Sequence, residues 1–370
     1  MRIQSHHPVD RVLFGALGVF LLSSTFSIAL SQTALGVVCV CLLIVIARGW
    51  RPLETSLKWW YVAGAVWLAW LLLTSLINDN PMKSLAAMRE EWLFAVVFAG
   101  VYVLRQERYR RWLLAALAVS VTGISLYGVV QYFTGVAWTL DDPLMAAPRF
   151  GWRAAGFFTY NTFQAFFAVA AAMFVGLVAT GRQVIPRGFY RLYGVAAAMT
   201  TIVSLLSFGR SSVAALVLSI VFLLVVLGRR YWKVSLAVLL VLIIALALVP
   251  GATDRYVDEY DREMGGRYQG RRLFIWDHVT QLIGDHPWIG VGKVNFRSVY
   301  VTYLPENIYE KRKVTHAHNE FLHAAAISGI PGAVLFGVFW ALALGIFWRG
   351  LRRFAGGWER AMSAAALAGS

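Results

Sequence analysis

The sequence predicts an all-α polytopic membrane protein of about 10–12 transmembrane helices, with a structured outer loop containing short amphipathic helices. Three observations predict it. Of 370 residues, 59% are hydrophobic and 14% charged, whereas soluble domains average roughly 45–50% apolar and about 25% charged. The apolar residues gather in runs near the ~20 residues that a helix needs to cross a ~30 Å hydrocarbon core. The basic residues sort by loop, as a membrane orientation signal does. Together these exclude a soluble enzyme, a disordered chain and a secreted disulfide scaffold.

In chain order the apolar spans are 11–29, 33–47, 59–77, 91–104, 112–132, 155–180, 189–206, 211–227, 234–250 and 321–348. The first is read as a membrane helix and not a cleavable signal peptide, since it has no small-residue cleavage site and runs into a second span. Span 91–104 is short and extends back toward Met88. Cys39 and Cys41 lie two apart on one span, about 200° around a helix, and form neither a disulfide nor a metal pair. Residues 358–370 open a further helix too short to cross, so one or two more helices are expected. The predicted organisation is 1–250 for transmembrane helices 1–9, 251–320 for a long outer loop, and 321–370 for helix 10 and the start of another.

The net charge is +15, from 34 Lys and Arg against 19 Asp and Glu. With the N-terminus cytoplasmic and the spans alternating, the short inner loops hold 19 basic residues and the short outer loops five. The remaining ten fall in 251–320, and long loops are largely exempt from the positive-inside rule. Much of the charge is therefore topology signal, and no nucleic-acid partner is needed to explain it.

The long segment reads as a small ordered cap. Leu273, Trp276, Val279, Leu282 and Ile283 recur at helical spacing, predicting an amphipathic helix over 271–284. Asp285-His286-Pro287 ends it, and Gly290-Val291-Gly292 marks a turn. Residues 254–264 are a more polar helix candidate. Five of the seven histidines lie in or near this segment.

The residues that could carry chemistry are mostly cationic. Arg210, in SLLSFGRSS, sits between two spans with almost no loop. It either snorkels at a helix end or, with the N–H groups of a helix N-terminus, holds an anion such as phosphate. Arg149 and Arg153 precede an apolar helix that carries Asn161 and Gln164, and Asn161 could line an interior cavity. Arg267, Arg271 and Arg272 lie among glycines at a helix start, where three cations oppose the helix dipole unless an anion is bound. THAHNEFLHAAAISGIPG holds His316, His318 and His323, any of which could move a proton near neutral pH. Glu320 and His323 have the spacing of di-iron helix ligands, but no second copy or carboxylate partner accompanies them, so no metal or other cofactor is expected. A cationic site facing the side of the membrane that lacks ATP suits a lipid-linked diphosphate.

His318-Asn319, followed after nine residues by Gly329 and Gly332, resembles the H-N-x9-G-x-x-G signature of the O-antigen ligase and polymerase superfamily. Gly270-Arg271-Arg272…Trp276…His286-Pro287…Gly290-Val291-Gly292…Phe296 is similar to the outer-loop pattern of the same superfamily, and Arg153…Gly156…Asn161 to its R-x-x-G…N element. The motifs span about 150–332, and the topology agrees over the whole chain. The resemblance implies an inverting, metal-independent glycosyltransferase of the bacterial inner membrane. Its donor would be undecaprenyl-diphosphate-linked O-antigen and its acceptor lipid A-core oligosaccharide, at the periplasmic face. Carried over residue by residue, His318 is catalytic and Arg210 and Arg272 bind the diphosphate. Arg271, Arg267, Arg153, Asn319, Asn161 and His316 accompany them as substrate-binding candidates. Arg271-Arg272 is a doublet where the family has one arginine, which leaves the match open between the two. The compact outer segment favours a ligase over a polymerase or a protein O-oligosaccharyltransferase. A lipid-linked glycan transporter, needing cavity arginines but no histidine at a reaction centre, is the alternative of another class.

Overall fold

The computed structural model describes residues 7–51, 57–104, 106–136, 146–147, 151–152, 154, 156–157, 160–207, 210–227, 236, 240, 271–305, 314–353, 363 and 366. Its helices are α1 (Pro8–Ser23), α2 (Ile28–Ala47), α3 (Lys58–Ile77), α4 (Pro81–Ala87), α5 (Phe94–Val103), α6 (Glu107–Thr134), α7 (Tyr160–Gly181), α8 (Arg187–Leu206), α9 (Arg210–Leu227), α10 (Arg271–Asp285), α11 (Phe296–Tyr300) and α12 (Glu320–Arg353). A short antiparallel pairing of Ala146–Ala147 with Gly151–Trp152 is the only sheet among the described residues. The molecule is an all-α polytopic membrane protein. Among the described residues six helices are long and apolar enough to cross a membrane: α2, α3, α6, α7, α8 and α12.

Nine of the apolar spans read from the sequence coincide with helices, and 234–250 lies outside the described residues except for Leu236 and Leu240. Several boundaries differ: the first span, read as 11–29, ends at Ser23, and the second, read from 33, begins at Ile28. The span at 91–104 is α5, preceded by a 3₁₀ turn over Met88–Leu93. The span at 155–180 becomes helical only at Tyr160, because Gly156 ahead of it has φ 59°, a left-handed turn no helix contains. Gln131 of α6, fully buried, clasps that turn. Its Nε2 donates to the Gly156 carbonyl and its Oε1 accepts from the Gly156 N–H, both at 2.8 Å.

The chain forms two compact units. One comprises residues 1–48, 95–257 and 347–370, the other 49–94 and 258–346. In the first, α1 packs on α2 and α6, and α8 on α6 and α7. Small residues such as Ala118, Ala171 and Ala196 are buried here. Small side chains let helix backbones approach where lipid supplies no hydrophobic drive. Large apolar residues point outward, among them Ile28, Leu43 and Phe133, as a lipid-facing surface requires and a soluble surface would not tolerate.

In the second unit the core joins Trp67 and Leu71 of α3, Ile275, Val279 and Leu282 of α10, Phe296 and Tyr300 of α11, and Ala326 and Ile327 of α12. The helix expected over 271–284 is present as α10, with Val279 and Leu282 of the expected stripe buried and Trp276 and Ile283 packed against the core, while Leu273 falls off it. Ile275, His278, Val279 and Leu282 are buried at i, i+3, i+4 and i+7, whereas Leu273 is 61% exposed. Leu273 and Ile275 both fit a helical period. The partner surface selects Ile275, and His278 fits the buried face because its Nδ1 satisfies the Phe274 carbonyl within the helix at 2.8 Å. The helix candidate at 254–264 lies outside the described residues.

Candidate active site

The second unit is organised around a break in α12. Gly329 has φ 75° and ψ 173°, a region open only to glycine. It splits the helix into 320–328 and a second piece that restarts at Pro331, where a missing N–H costs nothing. A break leaves the carbonyls of the preceding turn without helical partners, and the 287–292 loop supplies them. The N–H of Val291 donates to the Ala326 carbonyl and that of Gly292 to the Ile327 carbonyl, both at 2.9 Å. Trp70 of α3 donates its Nε1–H to the Ser328 carbonyl at 2.8 Å. In return the N–H of Ile330 donates to the Pro287 carbonyl at 2.7 Å. The close approach leaves no room for side chains: a Cβ at Gly329 would run into the Trp288 carbonyl, and one at Gly290 would lie 2.5 Å from the Ser328 nitrogen. Two separate sequence motifs, the Pro287…Gly290-Val291-Gly292 loop and the Gly329-x-x-Gly332 turn, are thus one physical joint.

At the other end of the 320–328 segment stands the histidine cluster. Asn319 caps α12, its Oδ1 accepting from the N–H groups of Phe321 (3.0 Å) and Leu322 (3.2 Å). Immediately before it, His318 has φ 54°, the only positive φ at a non-glycine among the described residues. Such backbones persist where surrounding contacts over-determine them, and they cluster at functional sites. Two contacts do so here. The His318 N–H donates to Nδ1 of His316 at 2.9 Å, and Trp276 of α10 donates its Nε1–H to the buried Ala317 carbonyl at 3.0 Å. The His318 residue itself is exposed. The His316 ring lies 4.0 Å from that of His323, and its Nε2 is 3.5 Å from Oε2 of Glu320. His323 in turn meets the Phe296 ring edge-on at 4.8 Å.

Arg272 is exposed on the first turn of α10, one helical turn before Trp276. The helix that carries Arg271 and Arg272 is therefore the one that pins the His318 turn. Near this turn the phenols are poor proton acceptors: burial pushes Tyr300 up to about 12. Burial, together with a 2.7 Å hydrogen bond to the Asp285 carboxylate, does the same for Tyr303. An imidazole, by contrast, can take a proton near neutral pH.

The structure brings four of the nine sequence candidates, His316, His318, Asn319 and Arg272, into one compact unit as described side chains. Arg271 belongs to the same unit as the first residue of α10. Asn319 is placed as a helix cap. Arg210 opens α9, as the glycine before it and the serines after it suggested, and Asn161 is the second residue of α7; both belong to the other unit. Arg153 and Arg267 lie outside the described residues. The sequence does not mark Trp70, Trp276 or Gln131 as site residues, although Trp70 and Trp276 each hold a backbone group of the joint or the His318 turn, and Gln131 holds the Gly156 turn of the other unit. A tryptophan donor committed to a distant carbonyl leaves no mark in a sequence. Among the described residues no group of three His, Cys, Asp or Glu side chains is disposed to hold a metal ion.

No curated protein matches the chain. Residues 195–337, which include α10, the Gly290–Gly329 joint, the His318 turn and the start of α9, match the family described as O-antigen ligase. That family is one of glycosyl-transferring enzymes. The matched stretch is the one that builds the histidine turn and the broken helix, so this part of the chain is similar to the O-antigen ligase family.

Proposed function

We propose that the protein is an O-antigen ligase of the bacterial inner membrane. It moves glycan from undecaprenyl diphosphate to a sugar of lipid A-core oligosaccharide, with inversion and without a metal, at the periplasmic face. The N-terminus is cytoplasmic, and the 251–320 segment faces the periplasm. His318 takes the proton of the acceptor hydroxyl as it attacks the anomeric carbon. Arg210 and Arg272 hold the leaving diphosphate, assisted by Arg271, Arg267 and Arg153. Arginine suits this role because its fork matches phosphate oxygens in pairs and its charge does not titrate away.

One observation carries the reading. An exposed histidine stands on a left-handed turn that is held by Trp276, from the same helix whose first turn presents Arg271 and Arg272. A base and a cationic anion site on one rigid helix–turn unit are what transfer from a diphosphate donor requires.

The test is cellular. Cells lacking the protein should make lipopolysaccharide that keeps its core but lacks O-antigen, while polymerised lipid-linked glycan accumulates. The wild-type gene should restore O-antigen, and His318→Ala, present in the membrane at normal level, should not. Its loss should be at least ~10²-fold in rate, the low end for general bases. Accumulation of single unpolymerised repeats would assign a polymerase instead. Full rescue by His318→Ala would remove the histidine from the chemistry and favour a transporter.

A further inference from the structure

We propose that His316 is a positioning residue: its Nδ1 accepts the backbone N–H of His318 and so holds the left-handed turn that presents the catalytic imidazole. This rests on the reading of His318 as the base and assigns His316 a separate task. It departs from the expectation that His316 contacts substrate.

The geometry assigns the task to one atom. A residue with φ 54° and a Cβ is disfavoured unless something compensates. A side chain at position i that accepts from the N–H of i+2 is the standard local device for fixing a turn. The His316 Nδ1 does this for His318 at 2.9 Å. Because Nδ1 accepts, the proton of the neutral ring sits on Nε2. That nitrogen faces the Glu320 carboxylate at 3.5 Å, which favours the same tautomer. The ring is held from the far side by His323, 4.0 Å away, which is braced on Phe296. A proton taken up on Nδ1 would remove the acceptor and release the turn, so His316 cannot both serve as base through that atom and position His318.

Among the described residues, the titratable and charged groups facing the ring are Glu320 and His323 of α12 and His318 of its own turn. Trp276 adds an independent anchor at the Ala317 carbonyl, so loss of the His316 bond should loosen the turn and leave the fold standing.

Substitutions distinguish the two ring nitrogens. Asparagine places its Oδ1 where Nδ1 lies and forms the same i to i+2 turn. Glutamine reaches instead toward the Nε2 position. Purified His316→Asn, His316→Gln and His316→Ala would be assayed for transfer from undecaprenyl-diphosphate-linked glycan to lipid A-core oligosaccharide, beside His318→Ala. We expect His316→Asn to keep kcat within about threefold and the other two to lose roughly tenfold or more. The donor KM should change little, since an interaction that acts through the base affects kcat. Amide exchange over 314–322, read by mass spectrometry, should be slow in the wild type and His316→Asn and faster in His316→Gln and His316→Ala, whatever the activity. If His316→Ala does not insert, the Asn and Gln pair decides alone.

Equal activity and exchange for Asn and Gln would overturn the proposal, and so would retention by Gln with loss by Asn, which would make Nε2 the working atom. Wild-type turnover by His318→Ala is a different outcome. It would sink the assignment of the base, while the exchange measurement would still report whether Nδ1 holds the turn.

Discussion

On the proposed reading, His318 and Arg272 divide the chemistry between a group that titrates and a group that does not. The imidazole stands at the end of a turn fixed by two hydrogen bonds, so its direction is set by backbone and not by a long flexible chain. Arg272 reaches from the first turn of α10, where a cation opposes the helix dipole and is relieved by a bound anion. Arginine and lysine differ in such a site: both carry the charge, but only the guanidinium offers two parallel donors. Arg272→Lys should therefore lower kcat/KM by about tenfold or more, the equivalent of ~1.4 kcal/mol, as measured with purified protein and lipid-linked donor. Turnover by Arg272→Lys equal to wild type would show that charge alone suffices and that no bidentate contact forms in the transition state. The sequence exposed the residue types at this scale, because cations and histidines at the end of an apolar chain are conspicuous. It did not expose their fixing: the αL backbone at His318 and the Nδ1 contact depend on coordinates that composition and spacing do not carry.

The broken α12 is the element on which the unit turns. Its two pieces are joined at Gly329, whose φ and ψ exclude any side chain, and a Cβ there would also strike the Trp288 carbonyl. Backbone strain of this kind costs of order 1–3 kcal/mol per residue, and displacing Trp288 would add the loss of the Ile330 to Pro287 bond. Gly329→Ala should thus lower the thermal midpoint of the detergent-solubilised protein by several degrees. Gly337→Ala, whose new methyl would meet only the Phe321 ring at an ordinary 3.7 Å, should leave it nearly unchanged. Equal midpoints for the two variants would show that the joint is not under this constraint. Periodicity located α12, α10 and eight more helices, because a lipid-crossing helix must be apolar over its length. It could not locate the break. The run through Ile330 stays apolar, and the donors that permit it come from Trp70 and from residues 287–292. The same limit explains Leu273: a 3.6-residue period admits more than one stripe, and tertiary contact selects among them.

For the whole molecule, the claim is an asymmetric one: a basic inner side and an outer side that carries the site. The short loops divide their basic residues 19 to five on this reading. Thr280, exposed on α10, should then be reachable from the periplasm. In a background with Cys39 and Cys41 replaced, Thr280→Cys should react with a membrane-impermeant maleimide in intact spheroplasts, and labelling only after lysis would invert the topology. Length and apolar composition made the membrane class plain. They could not divide the chain into its two units, because α12 and the 95–257 segment contribute to units by packing and not by composition.

The central claim is that fixed cations and a histidine, with no metal, carry the transfer. A divalent ion would want several carboxylate or carbonyl oxygens. The outer segments offer Asp141-Asp142 and the acids of 254–263, which alternate with Arg255 and Arg262. Guanidinium groups prearranged around a leaving diphosphate can supply the same stabilisation. The most direct measurement is glycan transfer by the purified protein from undecaprenyl-diphosphate-linked donor to lipid A-core oligosaccharide in excess EDTA, with no ion gradient. The account predicts full transfer in EDTA, lost in His318→Ala. Activity abolished by EDTA and restored by magnesium or manganese, with the acceptor shown to remain dispersed, would contradict it and make Glu320 and His323 the first ligands to test.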